Sequence, residues 1–115
     1  MALHWKRAIR KLWRRARLVA SGPLAANTAE FTGLFPSRVR LRRLATGFGF
    51  GEGPIWLPEE DCLLFSDIRA SRIHRLPADG QVAVFREPSG HSNGLTRDAT
   101  GRLIACEQGN RRVTI

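Results

Sequence analysis

Apolar residues in the first part of the chain recur three or four positions apart, whereas later ones alternate or stand in short runs. Between residues 3 and 20 this spacing predicts one face of a helix. The stripe is formed by Trp5, Ile9, Leu12, Ala16 and Val19. Ser21-Gly22-Pro23 ends the pattern, because Pro lacks the amide donor that a continuing helix needs. Since Lys and Arg occupy the other face, the sequence predicts a basic amphipathic leader helix over 1–22 and a linker over 23–37.

The rest of the chain, residues 38–115, has a strand-like pattern. Residues 38–42 alternate polar and apolar side chains, which predicts a first strand with one buried face. Further short runs, separated by turn-forming residues, lie at 54–57, 63–67, 72–76, 81–85, 94–96, 103–107 and 113–115. Because no segment between them is long enough for a crossover helix, we expect an antiparallel all-β meander.

An internal repeat appears when this part is shifted by 40 positions. The pairs that then agree in type are Ile55 and Leu95, Leu63 and Leu103, Leu64 and Ile104, Asp67 and Glu107, Arg72 and Arg112, and Ile73 and Val113. A period near 40 with about four short strands is typical of a β-propeller blade, although chance similarity between hairpins is an alternative. A six-bladed ring needs about 240 residues, so residues 38–115 would supply only about two blades.

The positive charge is concentrated in residues 1–47, and the remainder of the chain is nearly neutral. The chain has 115 residues, with 19 Lys and Arg against 10 Asp and Glu. Residues 1–47 carry 11 basic residues and one acid, whereas residues 48–115 carry eight Arg and nine acids.

No apolar run is long enough to span a membrane as a helix. Cys62 and Cys106 lack Cys-x-x-Cys spacing, so we expect free buried thiols instead of a disulfide scaffold or a zinc site.

Several roles are open for the leader. Its cations and Trp rings suit an anionic membrane surface through residues 3–20, and nucleic acid is a less favoured partner. Arg14-Arg15 before the apolar stretch 18–26 allows an export signal, but that stretch is short and broken, so we expect a cytoplasmic chain. The helix can also lack a specific role, and the sequence leaves the oligomeric state open.

The strand-rich part resembles a known family. Residues 41–48, Leu-Arg-Arg-Leu-Ala-Thr-Gly-Phe, and then Gly51-Glu52-Gly53-Pro54-Ile55-Trp56 are similar to the opening of the gluconolactonase, regucalcin and luciferin-regenerating-enzyme superfamily. Two later stretches, 63–73 and 92–107, resemble its following hairpins. The resemblance covers residues 41–115 and implies the N-terminal part of a six-bladed β-propeller. Such proteins hydrolyse lactones with one divalent cation, calcium or zinc, in the central channel.

The resemblance also assigns roles to two residues. Glu52 would be a metal ligand, and Asn93 would face the same channel and contact substrate or the water on the metal. A carboxylate and an amide oxygen suit a hard cation, and such a cation polarises a lactone carbonyl. The family's remaining ligands, an Asn and an Asp, come from later blades, so we expect the isolated chain to be inactive. Gln108 replaces a His of the family branch, and His91 stands where the regucalcin branch has a substrate-contacting Arg.

Without the resemblance, simpler interpretations apply to the same residues. Glu52 would be an acid in a Gly-rich loop, and Asn93-Gly94 a tight turn. Ordinary structural roles are expected for the remaining polar candidates: surface or core positions for His4, His74 and His91, turns for Asp67 and Asp98, and a solvated hairpin edge for Arg111-Arg112. The leading hypothesis is the N-terminal portion of a metal-dependent hydrolase of a sugar lactone or other small lactone. The alternatives are a noncatalytic interaction module that uses the basic helix, and a truncated product without function.

Overall fold

The computed structural model describes residues 17–18, 28–34 and 42–115. Most of the predicted leader helix, and residues 38–41 of the predicted first strand, lie outside these ranges. Within the predicted helix, strand β1 (Arg17–Leu18) is extended and pairs antiparallel with β2 (Arg42–Arg43). A short helix, α1 (Ala29–Leu34), lies in the segment expected to be a linker. The described part of the chain contains no helix that is long and apolar enough to cross a membrane.

Residues 51–114 form two antiparallel sheets. The first sheet contains, in spatial order, β3 (Gly51–Leu57), β4 (Cys62–Asp67), β5 (Arg72–Pro77) and β6 (Ala83–Arg86). The second sheet contains β7 (Ser92–Arg97), β8 (Leu103–Glu107) and β9 (Arg112–Thr114). Each strand lies within a few residues of a predicted run, because turn-forming residues separate the runs in the sequence. The prediction of an all-β antiparallel meander is confirmed, and the arrangement is consistent with part of a β-propeller.

The hydrophobic core lies between the two sheets. Its buried members are Leu57, Cys62, Leu64, Ile73 and Ala105, against which Ile55, Leu95 and Leu103 pack. Alternate side chains of β4 point into this core, as the period of two requires. Cys62 is buried there as expected, and burial raises the pKa of its thiol. Cys106 is exposed, so the expectation of a second buried thiol is wrong.

The other face of the first sheet carries a small aromatic cluster. The ring of Phe65 lies 4.9 Å from that of Phe48 in an edge-on arrangement and 5.3 Å from the imidazole of His74, which it stacks upon. His74 is buried, and neither of its ring nitrogens has a hydrogen-bond partner within the described residues. His74 is therefore a buried structural histidine of this aromatic cluster, in line with the surface or core position expected for it.

The strand pairing tests the repeat directly. Ser66 pairs with Ile73 in the first sheet, and Cys106 with Val113 in the second, so β4 and β5 map onto β8 and β9 with a shift of 40. The first strand of each sheet, β3 or β7, departs from this shift of 40. The partners of Leu64 and Ile104 are Ile55 and Thr96, which lie 41 positions apart. The predicted equivalence of Ile55 with Leu95 is therefore wrong by one position, whereas the period of 40 holds between β4 and β8 and between β5 and β9.

Candidate functional site

Glu52 and Asn93 occupy equivalent positions on the two first strands. In the first sheet, Glu52 follows Gly51, which pairs with Asp67 at the end of β4. In the second sheet, Asn93 follows Ser92, which pairs with Glu107 at the end of β8. The pairing register shifts just after both points, between Glu52 and Ile55 and between Ser92 and Leu95. Bulges of this kind re-aim side chains and are common beside active sites. We call the end of the two sheets where β3 and β7 begin the site end.

Gly53 brings the two strands into contact at this level. Its φ is +58°, and a Cβ atom there would lie 2.1 Å from the carbonyl oxygen of Asn93. Only glycine has the space and the conformational freedom for this approach. The Gly of the Glu-Gly-Pro sequence is thus the residue that places the Glu52 backbone beside that of Asn93.

Ser66 ties the same two strands together. It lies opposite Glu52 on β4, and its hydroxyl donates a 2.8 Å hydrogen bond to the Asn93 carbonyl oxygen. Its oxygen also lies 3.1 Å from the hydroxyl of Ser92, and both serines are fully buried. Sequence reasoning missed this role, although a Ser at a core-facing position of the β4 alternation was the available signal.

The Glu52 carboxylate is partly buried and makes no hydrogen bond or ion pair with any residue in the described ranges. Asp67, at the same end, is engaged: its carboxylate accepts N–H bonds of 2.9 Å from Gly49 and 3.0 Å from Phe50. Burial raises the pKa of Asp67, but these backbone donors and that of Ala70 together outweigh it and lower the pKa. Asp67 therefore braces a turn, as predicted, and leaves Glu52 as the free carboxylate of the first sheet at the site end.

Glu107 is the equivalent acid of the second sheet and is fully engaged. Its carboxylate is buried and accepts hydrogen bonds from Asn110 at 2.6 Å and from Arg112, Thr114 and Arg86 at 2.8 Å each. The bonds from Asn110, Arg112 and Thr114 lower the pKa of Glu107 to about 2. Glu107 thus has a structural role, and Arg112, which is exposed as expected for a hairpin edge, also forms an ion pair with it.

Asn93 has one end of its amide committed. The Gly94 N–H donates a 2.7 Å hydrogen bond to its Oδ1 atom, and since a backbone N–H can only donate, the atom it meets must be the carbonyl oxygen. The NH₂ group has no partner in the described part of the chain. The NH₂ group of Asn93 is therefore available to donate a hydrogen bond at the site end.

These groups fit one part of a divalent-cation site. A free carboxylate oxygen pair is a ligand type that calcium and zinc both accept. Residues 17–18, 28–34 and 42–115 contain no group of three or more His, Cys, Asp or Glu side chains close enough to hold a metal ion. Glu52 can thus contribute one protein ligand, and further ligands are needed to complete a site.

The two positions that depart from the family pattern also lie at the site end. His91 precedes β7; its backbone N–H donates to Ser71 Oγ at 3.1 Å and its Nδ1 lies 2.7 Å from the carbonyl oxygen of Ile68. Because a carbonyl can only accept, Nδ1 carries the proton in this hydrogen bond. Gln108 is exposed in the turn that follows β8. Both residues therefore lie at the site end.

Comparison with known proteins places these features in a family. Residues 50–114, more than half of the chain, match the SMP-30/gluconolactonase/LRE-like region. The chain is 29% identical over 83 residues to the gluconolactonase of Zymomonas mobilis, and 37% identical over 60 residues to the 6-deoxy-6-sulfogluconolactonase of Pseudomonas putida. These alignments cover 61% and 51% of the chain but only 23% and 21% of the relatives, so it spans less than a quarter of their length.

A solved structure agrees with the match. A crystal structure of a protein described as a candidate gluconolactonase superposes with a TM-score of 0.69 and 42% sequence identity, over 76% of this chain and 30% of that one. Strands β3 to β9, with Glu52 and Asn93, all lie within the matched residues 50–114. The chain belongs to the SMP-30/gluconolactonase/LRE-like family.

Proposed function

We propose that the chain is the N-terminal portion of a metal-dependent lactone hydrolase with a six-bladed β-propeller, in which Glu52 is one ligand of the metal. The observation that carries the proposal is the unpaired Glu52 carboxylate, held level with Asn93 by Gly53 and Ser66 in a chain of this family. Other acids at the site end, Asp67 and Glu107, are used by the structure itself.

The residues of this chain would divide the work. When bound, a divalent cation such as calcium or zinc supplies a Lewis acid that polarises the lactone carbonyl. Glu52 would hold that cation, and the free NH₂ group of Asn93 would donate a hydrogen bond to the substrate. The contacts of Gly53 and Ser66 would keep these two groups in a fixed relative position, which lowers the entropic cost of bringing reactants together.

The relatives suggest the substrate class. One is named a gluconolactonase and the other a 6-deoxy-6-sulfogluconolactonase, which favours a sugar lactone here. Because the chain spans less than a quarter of their length, we expect further metal ligands to be supplied by sequence outside these 115 residues, and no turnover by the isolated chain.

The test uses the protein as its own cell makes it, tagged at the chromosomal gene, with its intact mass measured first. We expect metal-dependent hydrolysis of glucono-1,5-lactone that stops on chelation. Glu52→Gln should weaken metal binding at least tenfold, roughly the lower bound for groups that only support a ligand. Glu60→Gln is the matched control, because Glu60 is exposed at the opposite end of β3 and β4 and pairs with Arg75.

Two results would count against the proposal. Equal metal affinity and equal hydrolysis in Glu52→Gln and the unmodified protein would remove Glu52 from the site. Absence of metal-dependent lactone hydrolysis from the natural protein would remove the function itself, and the intact mass shows whether that protein extends beyond these 115 residues.

A further inference from the structure

The arginines of residues 48–115 fall into two groups. Of the eight, six lie within 4.0 Å of a carboxylate: Arg72, Arg75, Arg86, Arg97, Arg102 and Arg112. For Arg72 the distance to Glu87 is 2.9 Å, close enough for an ion pair although the donor nitrogen is not aligned for a hydrogen bond. In this part of the chain the guanidinium groups of Arg69 and Arg111 make no ion pair and no hydrogen bond, and both residues are exposed.

The two unpaired arginines lie in equivalent turns. Arg69 is in the turn between β4 and β5, and Arg111 is in the turn between β8 and β9. The Arg69 turn follows Asp67, which pairs with the start of β3. The Arg111 turn follows Glu107, which pairs with the start of β7. Both arginines are therefore at the site end, whereas Arg102 and its partner Asp98 lie at the opposite end, in the turn between β7 and β8.

The Arg69 turn lies directly against the strand that carries Glu52. The Ile68 N–H donates a 3.0 Å hydrogen bond to the Phe50 carbonyl oxygen. A Cβ atom on Gly49 would lie only 2.8 Å from the Cβ atom of Arg69, so the stem of this arginine packs on the Gly-rich segment before Glu52. The stem of Arg69 is thus held at the site end, against the segment that leads into β3.

The Arg111 turn is held to the same region through residues 90 and 91. The Gly109 N–H donates a 2.9 Å hydrogen bond to the Gly90 carbonyl oxygen, and a Cβ atom on Gly109 would lie 2.9 Å from the imidazole of His91. His91 in turn is bound to Ile68 and Ser71 of the other turn. His91 therefore lies between the two turns and fixes the Arg69 and Arg111 backbones relative to each other.

We infer that Arg69 and Arg111 bind an anionic substituent of the substrate, so that the preferred lactone is a sugar lactone carrying a phosphate, sulfonate or carboxylate group. The inference rests on the proposed function and adds the substrate class. In a segment where carboxylates neutralise the other arginines, two unpaired guanidinium groups beside the candidate site offer planar, permanently charged donors to anionic oxygens. Both are exposed, so they would be available to a charged group distant from the reacting carbonyl.

The test measures binding to the protein as its cell makes it, with three probes at matched ionic strength: 6-phosphogluconate, gluconate and inorganic phosphate. We expect 6-phosphogluconate to bind about tenfold more tightly than either gluconate or inorganic phosphate. Arg69→Gln and Arg111→Gln should each reduce this preference about threefold to fivefold, the upper range for a solvent-exposed charge pair. Arg102→Gln, which removes the same charge at the opposite end, should leave the preference unchanged.

Three results would overturn the inference: no preference for 6-phosphogluconate over gluconate, equal weakening by all three arginine variants, or equal binding of inorganic phosphate, which would indicate a general anion site. Its failure is separable from that of the proposed function. Suppose that lactone hydrolysis is metal-dependent but Arg69→Gln and Arg111→Gln leave the preference for 6-phosphogluconate unchanged. The inferred substrate class would then be wrong, and the proposed function would stand. An arginine-dependent preference in a protein without lactonase activity would sink the proposed function alone.

Discussion

Replacement of Gly53 by Ala tests the contact on which the geometry of the candidate site depends. The added Cβ atom would lie 2.1 Å from the Asn93 carbonyl oxygen, which must retreat to at least 3.0 Å. An L-residue held at a φ of +58° costs about 1–2 kcal/mol. The displacement of packed backbone costs about 1–3 kcal/mol more. Loss of the 2.8 Å bond from Ser66 to that carbonyl costs about 1 kcal/mol. We therefore expect a loss of about 3–6 kcal/mol.

The assay is urea unfolding followed by circular dichroism, with Gly94→Ala as the matched control. Gly94 lies on the facing strand and has no positive φ, and a Cβ atom added there would have no neighbour within 4 Å, so Ala should change stability by less than about 1 kcal/mol. In the natural protein, Gly53→Ala should also lower lactone hydrolysis, because Glu52 and Asn93 move apart. If the two variants differ by less than about 1 kcal/mol at equal m-values, the close approach of β3 and β7 is not what holds the site.

Two further predictions concern titration and thiol chemistry. The pKa of Glu107 falls from 4.5 to about 2 on folding. Its ionisation therefore stabilises the fold above pH 4.5, and this contribution is lost as the pH falls toward 2. The midpoint of thermal unfolding should drop over that pH interval, and it should drop less in Glu107→Gln. An equal drop in both proteins would contradict the assignment, and Glu60→Gln, which removes an exposed acid at the opposite end of the first sheet, is the control. Cys106 should react with a thiol reagent in the folded state, whereas Cys62 should react only on unfolding, since it is buried and its thiol pKa is raised; comparable rates for both would contradict the burial of Cys62.

The strands could be predicted from the sequence because each is short and bounded by turn-forming residues. The run 103–107 coincides with β8, and the run 63–67 is β4 without its first residue. Such boundaries depend on local chemistry, which a single sequence displays. The strand β1 and the helix α1 were not predicted, because β1 depends on pairing with Arg42–Arg43, a contact between distant positions.

The candidate site was predictable only in part. Glu52 and Asn93 were identified by family resemblance, and the structure places them at equivalent positions. Ser66 was missed because its hydrogen-bond partner lies 27 residues away. The ion pair of the exposed Arg112 was missed because an Arg-Arg pair in a hairpin gives no local sign of Glu107, the buried carboxylate that it reaches. In each case the missing information is a long-range contact.

The length of one turn decides which residue of β7 lies beside Glu52. Trp56 pairs with Leu63 in the first sheet, a separation of seven, whereas Arg97 pairs with Leu103 in the second, a separation of six. The β7–β8 hairpin is therefore one residue shorter than the β3–β4 hairpin. As a result, the β7 residue opposite each β8 residue stands 41 positions, instead of 40, after its counterpart in β3. With hairpins of equal length Ser92 would stand level with Glu52, and Asn93 would be displaced from that position, because a shift of one residue exchanges the faces of a strand. The chemistry of the site end is thus set by a turn at the opposite end of the sheet.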